Sequence, residues 1–372
     1  DETFPNPTRF TLLDTCEIPS RPWVYGRHLI RRNVSVTLAP GGVGKSSLSI
    51  VQALEIASGK RLLTNWNAGP ARVWLFNLED DRDELNRRVT AACSHHSITA
   101  TDFGDRLYID SGRESELLIA EQKRDELVLN KGLLRHLEET IIKNEIDVLT
   151  IDPLVSAHRV NEMDNGKMDV VAKSLVRLAD KANCAIELIH HTRKLNGSEA
   201  TSDASRGASS VVNAARSSRV LQRYSDDMLD KAGVKDREGT YFYVKRDKSN
   251  LAIEGGKESF RTVSVDLGQG DTVGVVERFE MPGLFDGINL NTLKAVQKEI
   301  NVKEYRYSDQ TGEEWVGYPI AKVTGLDVGK DRTRIKGLIK IWISNGALKK
   351  DYQKLATGKE VPMVIVGEWA NH

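Results

Sequence analysis

A glycine-rich segment followed by Lys45 and Ser46 has the residue types and the spacing of a loop that binds phosphate groups. Glycine lets backbone N–H groups turn towards phosphate oxygens, the Lys45 ammonium can reach the outer phosphates, and the Ser46 hydroxyl can ligate Mg²⁺. A strand, this loop and an apolar helix occur in the order that such a site needs, which favours nucleotide binding over a simple turn. The expected phosphate-binding residues are Ala39, Pro40, Gly41, Gly42, Val43, Gly44, Lys45, Ser46 and Ser47.

Two carboxylates, each at the end of an apolar stretch, can complete this site. Asp152 follows one predicted strand, and a single carboxylate beside the Ser46 hydroxyl suffices for Mg²⁺, which prefers oxygen ligands. Glu79 follows another predicted strand, where a carboxylate can orient the water that attacks the terminal phosphate. The alternative for Glu79 is membership of a helix-capping cluster, a role that we assign to its neighbours Asp80 and Asp81.

A histidine pair, His190 and His191, ends a further predicted strand. A metal site is disfavoured because no cysteine or carboxylate lies at ligand spacing from the pair. We expect instead that one of the two histidines forms a hydrogen bond with the terminal phosphate or with Glu79. Later in the chain, the cations around Lys245 and Lys248 either form a solvated loop or act as a finger on the phosphate of a neighbouring subunit.

The elements that must position these residues are predicted strands that alternate with helices. The strands are apolar throughout, which is typical of a mostly parallel sheet covered by helices on both faces. The carboxyl ends of parallel strands meet at one edge, where ligands bind in such folds. We therefore predict an α/β fold with the candidate site at this edge. Helical periodicity over residues 115–144 predicts one of the covering helices.

Length and composition limit the class of protein. The chain has 372 residues, so we expect two or three structural units. Lysine plus arginine and aspartate plus glutamate both number 53, so a nucleic-acid site has to come from local charge. Three widely spaced cysteines argue against a disulfide framework or a zinc cluster and favour a reducing cytoplasm. No apolar run approaches the ~20 residues that span a bilayer, and no signal peptide is evident, so we expect a cytoplasmic protein without a membrane partner.

The motifs together resemble those of RepA-type ATPases, which are RecA-like hexameric replicative helicases of plasmids and other mobile elements. The resemblance covers about residues 20–255. It implies a RecA-like P-loop core that forms a ring, with ATP and Mg²⁺ between subunits and single-stranded DNA in the ring centre. The motifs that carry it lie at residues 39–46, 78–80, 149–153, 189–194 and 206–209.

By similarity, Glu79 would be the catalytic glutamate, Asp152 the Walker B acid that binds Mg²⁺ with Ser46, and His190 the sensor of the γ-phosphate. Arg206 would be a candidate finger onto the neighbouring subunit. The catalytic set implied by the resemblance is Glu79, Lys45, Asp152, His190 and Arg206.

Two further sets of cations follow from the resemblance. Ring helicases of this type carry a Lys-x-Arg finger pair at a strand end, but here Arg246 adjoins Lys245, so the finger stays open among Arg206, Arg216, Lys245 and Lys248. Loops that face the ring centre would hold DNA, and these are the loop near Arg159 and the loop with Arg193 and Lys194.

The pattern changes beyond residue 286 to three helices followed by a β-hairpin, which is similar to the winged-helix superfamily. Residues 322–372 carry ten Lys or Arg against five Asp or Glu. Arg332, Lys336 and Lys340 can share the solvent face of the third helix, where we expect them to contact duplex DNA. The alternative is a domain for protein contact whose lysines are merely solvated.

The predicted organisation is an N-terminal arm (1–33), a RecA-like P-loop ATPase domain (34–270), a linker (271–287) and a winged-helix-like DNA-binding domain (288–372). The predicted function is that of an ATP-hydrolysing, ring-forming DNA motor, namely a replicative helicase of a plasmid, phage or other mobile element. The alternative is a nucleotide-gated DNA-binding regulator or loader without unwinding activity. A small-molecule kinase is disfavoured because the sequence has no obvious arginine-rich lid.

Overall fold

The computed structural model divides the chain into two compact units. The described residues are 6–191, 209–234, 237–249, 256–268, 270–354, 358 and 360–370. The first unit is Asp1–Gln222 with Phe242–Arg278, and the second is Arg223–Tyr241 with Phe279–His372. No helix in the described ranges is long and apolar enough to cross a membrane.

The first unit alternates strands and helices. Its strands are β1 (Trp23–Tyr25), β2 (Leu29–Ile30), β3 (Val34–Ala39), β4 (Val73–Asn77), β5 (Leu107–Ser111), β6 (Ala120–Lys123), β7 (Glu126–Leu129), β8 (Val148–Asp152), β9 (His158–Arg159), β10 (Ala185–His191), β11 (Ser217–Arg223), β12 (Tyr241–Ser249), β13 (Glu258–Gly268) and β14 (Asp271–Arg278). Its helices are α1 (Lys45–Ser58), α2 (Arg82–His95), α3 (Ala100–Phe103), α4 (Lys131–Lys143), α5 (Asn165–Lys181) and α6 (Ser209–Ala214).

Nine strands in the described part of the chain form one sheet, in the order β14-β13-β12-β11-β3-β10-β8-β4-β5. The strands from β11 to β5 are parallel. β13 and β14 pair antiparallel at the opposite edge of the sheet from β5. His191 pairs with Ala39, and Asn77 pairs with Asp152. The carboxyl ends of β3, β4, β8 and β10 therefore lie close together at one end of the sheet. The prediction of an α/β fold with a mostly parallel sheet is confirmed.

Helices cover both faces of this sheet because its strands are apolar on both sides. Leu149 and Leu188 belong to one core layer, which packs against α4, α5 and α6. Val148 and Ala185 belong to the other core layer, beneath α1. Side chains alternate between faces along a strand, so a residue's position in its strand decides which layer it faces.

The predicted linker at 271–287 begins instead as a strand of the sheet. β14 pairs with β13 along most of its length. Val273 and Val275 alternate into the core, and the intervening Gly274 together with nearby glycines gives this strand the composition of a linker.

The single helix predicted over 115–144 is wrong in its first half. β6 and β7 form a hairpin there, and α4 begins only at Lys131. The Asn130 side chain accepts a hydrogen bond from Leu133 N and so caps the helix. Leu127 and Leu129 continue the helical spacing of leucines by coincidence, although they belong to β7.

The second unit consists of short helices and a small sheet. Its elements are α7 (Asp226–Lys231), α8 (Leu290–Ile300), β15 (Tyr305–Arg306), α9 (Gly317–Thr324), α10 (Arg332–Ser344), β16 (Leu348–Lys354) and β17 (Glu360–Val366). The strands are antiparallel in the order β15-β17-β16. Trp315, Leu338 and Trp342 lie in the core that joins the helices to this sheet.

Candidate nucleotide-binding site

The phosphate-binding loop connects β3 to α1 at the carboxyl edge of the sheet. Gly42 and Gly44 have φ angles of 73° and 99°, which residues with a side chain rarely adopt. A Cβ on Gly44 would also lie 3.3 Å from Thr262 Cγ2. α1 has no acidic residue in its first turn, so its N-terminus and the free backbone N–H groups there favour a bound anion.

The other loop residues offer mainly their backbone. Ala39 and Val43 are buried in the core, so their side chains face away from solvent. Pro40 lacks an N–H group, and Gly41 has open space where a Cβ would stand. Of these loop residues, Lys45 and Ser46 carry the side chains that could act on a phosphate, and their roles stay predictions.

A cavity of about 610 Å³ opens over this loop, which is within the usual size of a small-molecule site. Its walls are the loop itself, three residues of α2 and the β13–β14 hairpin. The α2 residues are Glu84, Arg87 and Arg88. One wall of the cavity therefore comes from residues 271–274, which the sequence analysis assigned to a linker.

Ser47 differs from the other predicted phosphate-binding residues because its hydroxyl is engaged within the protein. Ser47 Oγ donates to Gly274 O at 2.9 Å and accepts from Val276 N at 3.1 Å. Both partners belong to β14. The Ser47 side chain therefore fastens the start of α1 to the hairpin.

Asp152 ends β8 and is 1% exposed. Neither of its carboxylate oxygens makes a hydrogen bond of normal geometry with the described residues. Burial raises the pKa of Asp152 to about 6, and the negative charge of Glu79 adds to the rise. The Lys45 ammonium and the Ser46 hydroxyl act in the opposite direction and lower it. A buried carboxylate in need of partners, next to a hydroxyl, is an oxygen donor set that fits Mg²⁺.

Glu79 lies just after β4, in a turn that the buried Asn77 organises. The Asn77 side chain accepts hydrogen bonds from Glu79 N at 3.0 Å and from Asp80 N at 2.8 Å. Leu78 N donates to Asp152 O at 2.7 Å, which joins this turn to the end of β8. The Glu79 side chain itself is 49% exposed, so its carboxylate can reach water.

The histidine pair is divided between the two faces of the sheet. His191 lies on the α1 face, with Nε2 3.8 Å from Glu79 Oε1. His190 lies on the other face and is buried, with Nδ1 3.6 Å from Glu162 Oε1. Because successive residues of β10 must face opposite layers, the structure places His191 beside Glu79 and places His190, the γ-phosphate sensor that the resemblance implies, on the other face.

Both histidines are held neutral at pH 7. Burial lowers the pKa of His190 to about 4, and the neighbouring His158 acts in the same direction. Burial also lowers the pKa of His191, with the Lys45 ammonium adding to the shift and Glu79 opposing it. A neutral His191 can donate one hydrogen bond and accept another beside the cavity.

Of the two predicted caps of α2, one is confirmed. Asp81 accepts a hydrogen bond from Glu84 N at 2.9 Å. Asp80 is not a cap, because its carboxylate lies 3.3 Å from the Arg88 guanidinium. Arg88 also donates to Glu84 at 2.7 Å, and Arg87 lies 3.7 Å from Glu84. The two arginines that line the cavity therefore already have carboxylate partners.

Of the four cations proposed as fingers onto a neighbouring subunit, the structure describes the side chains of two. Arg206 and the Lys248 side chain lie outside the described residues. Arg216 precedes β11 and is exposed, and Lys245 is exposed on β12. None of these cations is placed at the phosphate-binding loop of the same chain by a contact among the described residues.

Of the two segments expected to face the ring centre, the structure describes the one that contains Arg159. Arg193 and Lys194 lie outside the described residues. Arg159 is not in a loop, because it belongs to β9, which pairs with β6. Its guanidinium lies 2.7 Å from the Glu116 carboxylate.

A buried charge network that the sequence analysis missed lies beneath α1. Arg219 donates to Glu187 at 2.8 Å, to Gln52 at 2.5 Å and to Thr37 at 2.8 Å. Although burial alone would raise it, Arg219 and His28 hold the pKa of Glu187 far below its usual value. The network ties β3, β10 and β11 to the helix that carries the phosphate-binding loop. The one signal in the sequence was a glutamate inside the apolar run of β10.

The predicted DNA-binding face of α10 is largely engaged within the second unit. Arg332 and Lys336 each lie 3.0 Å from the Asp309 carboxylate, and these two cations hold the pKa of Asp309 below its usual value. Arg334 donates to the backbone carbonyls of Leu284 and Asp286. Two of the three cations that were predicted to contact duplex DNA are thus paired within the chain although they stay partly exposed, and DNA contact by this helix remains a prediction.

The comparison with protein families identifies the N-terminal half of the chain. A family model described as "AAA domain" (AAA_25) matches residues 2–197, more than half of the chain. The matched range includes the phosphate-binding loop, both predicted carboxylates and the histidine pair.

Proposed function

We propose that this chain, which belongs to the AAA-domain family, binds ATP with Mg²⁺ and hydrolyses it as a ring-forming motor on DNA. The finer assignment that we propose is a RepA-type replicative helicase of a mobile element. The observation that supports the nucleotide site most strongly is the buried Asp152 carboxylate, which makes no hydrogen bond of normal geometry with the described residues and lies beside the phosphate-binding loop.

Each part of the site has a role in this proposal. The loop amides, the N-terminus of α1 and Lys45 bind the phosphates. Ser46 and Asp152 would hold Mg²⁺, which supplies positive charge for the phosphate oxygens. Glu79 orients and deprotonates the attacking water from its turn beside the loop. His191 forms the hydrogen bond with Glu79 or with the terminal phosphate that we predicted for one of the two histidines.

A second copy of the chain completes the site in this proposal. Hydrolysis builds negative charge that a further cation would stabilise, an effect worth on the order of 10³-fold or more in other enzymes of this kind. Within the described part of the first unit, Arg87 and Arg88 line the cavity but are paired with carboxylates. Arg206, Arg216, Lys245 and Lys248 of a neighbouring copy are the candidates, which favours a ring with shared sites.

The test is ATP hydrolysis by the purified protein without DNA, with single-stranded DNA and with duplex DNA, at one salt concentration. We expect strong stimulation by single strands. Stimulation by duplex alone, or none, would instead support the nucleotide-gated regulator or loader.

The matched variant for this assay is Glu79→Gln, which keeps the shape of the side chain and removes the base. We expect turnover to be lost while ATP binding is retained. Loss of ATP binding in this variant would show that Glu79 has a different role.

A further inference from the structure

The second unit exposes an unusual strand. Six of the seven residues of β16 are exposed, and three of the seven are lysines. Lys350 pairs with Val364 and Tyr352 pairs with Pro362 across to β17. Since side chains alternate along a strand, Lys350, Tyr352 and Lys354 share one face, whereas Lys349 lies on the other.

A second tyrosine joins this face from the other side of β17. Tyr307 N donates to Pro362 O at 2.9 Å, so Tyr307 and Tyr352 flank the same residue of β17. Lys350 Nζ lies 3.6 Å from the centre of the Tyr307 ring, which is a cation–π contact. Tyr352 is 64% exposed, so one face of its ring is open to a partner.

A cavity of about 350 Å³ lies next to Tyr307. Its lining includes the Tyr307 ring, an edge of the buried Trp315, the Asp309–Lys336 ion pair and Lys340 of α10. Unlike Arg332 and Lys336, Lys340 has no ion pair with a described residue. Aromatic walls next to an available cation suit a ligand that has both a planar ring and a negative charge.

We propose that the exposed face of β16, together with Tyr307 and Lys340, forms a site for single-stranded nucleic acid, which we name the lysine–tyrosine face. It consists of Tyr307, Lys340, Lys350, Tyr352 and Lys354. This inference rests on the proposed function only for the choice of a nucleic acid as the polyanion. It includes Lys340 of α10 but neither Arg332 nor Lys336, whose charges are paired with Asp309.

The chemistry of the lysine–tyrosine face favours single strands over duplex. Lysine contacts phosphate as a point charge, and an exposed tyrosine ring stacks on a base that is free of a partner. In a duplex the bases are stacked on one another and cannot reach Tyr352. Glu360 pairs in register with Lys354, so we expect Lys350 and Lys340 to contribute more than Lys354.

The test compares the binding of a fluorescent oligothymidylate to wild type, Tyr352→Ala, Lys350→Gln and Lys349→Gln. We expect Tyr352→Ala to weaken binding about 5- to 100-fold through the lost stacking. Lys350→Gln should weaken binding and reduce the salt slope by about 0.7, the value for one phosphate contact on a single strand. Lys349→Gln removes the same charge from the same strand but from its other face, so its affinity should stay close to that of wild type.

ATP hydrolysis without DNA should be unchanged in all three variants, which shows that they fold. Equal losses for Lys349→Gln and Lys350→Gln would overturn the proposal, because they would indicate a diffuse charge effect. Wild-type affinity in both Tyr352→Ala and Lys350→Gln would overturn it too, while leaving the proposed motor intact. Duplex that competes as well as single strands would overturn the choice of ligand.

A further outcome separates this inference from the proposed function. If wild type binds no nucleic acid and its ATP hydrolysis does not respond to any, both fail. If DNA stimulates ATP hydrolysis while the lysine–tyrosine variants respond like wild type, only the inference fails.

Discussion

Replacing Asp152 by asparagine should stabilise the protein in the absence of ligand. The carboxylate of Asp152 is buried, and its pKa is raised from 3.8 to about 6. A group whose pKa is higher in the folded state favours folding only below its unfolded pKa, and this contribution is lost as pH rises through the folded pKa. The ionised carboxylate therefore destabilises the folded protein above pH 6.

The size of the effect follows from the difference of about 2 pKa units. One unit corresponds to about 1.4 kcal/mol, so the ionised Asp152 costs about 3 kcal/mol of unfolding free energy. Because asparagine carries no charge, Asp152→Asn should be more stable than wild type by up to this amount at pH 8. The difference should shrink between pH 6 and pH 4 and vanish below pH 4.

The assay is denaturant unfolding of wild type and Asp152→Asn between pH 4 and pH 8. Asp125→Asn, at the exposed turn between β6 and β7, serves as the control and should match wild type throughout. Mg²⁺ with ATP should nearly cancel the difference, because a ligand at 100 times its dissociation constant stabilises wild type by about 2.7 kcal/mol and the variant lacks the carboxylate that would hold the ion. A variant that is no more stable than wild type at pH 8 would refute the account of Asp152 as a buried, uncompensated charge.

Two further pairs of variants test other parts of the site. His191→Asn should lower the rate of ATP hydrolysis about 10²-fold in single-turnover assays, whereas His190→Asn should leave it nearly unchanged, and the opposite order would return the role to His190. Arg219→Met should lower the free energy of unfolding by about 3–5 kcal/mol, because Glu187 is left buried without its cation, whereas the exposed Arg223→Met should change it by less than about 0.5 kcal/mol. Burial then raises the pKa of Glu187, so the loss should become smaller as pH falls, and denaturant unfolding at several pH values measures this.

The parts of the site that could be predicted are those whose local sequence dictates local structure. Gly42, Gly44 and Lys45 specify the loop because only a glycine-rich turn before a helix offers free amides to phosphate. Asp152 and Glu79 were found because an acid that ends an apolar strand must emerge at the carboxyl edge of a parallel sheet.

The parts that escaped prediction depend on which face of an element a residue occupies. The strand that carries His190 and His191 is buried on both sides, so no polar alternation reveals which histidine faces α1. The hairpin strand β14 resembled a linker because glycine is common in both. The ion pairs of α10 also escaped prediction, because Asp309 contacts Arg332 and Lys336 from a position 23 residues earlier in the chain than Arg332.

Two buried carboxylates on adjacent strands differ in their partners, and this difference distinguishes a structural role from a ligand-binding role. Glu187 on β10 and Asp152 on β8 both face α1, and both are almost completely buried. Glu187 has Arg219, Gln52 and Thr37 as partners, so it stays ionised and adds rigidity to the sheet. Asp152 has no comparable set among the described residues, and burial raises its pKa although Lys45 and Ser46 oppose the rise. Because its charge is only partly compensated, Asp152 is the carboxylate whose site we expect a cation to complete.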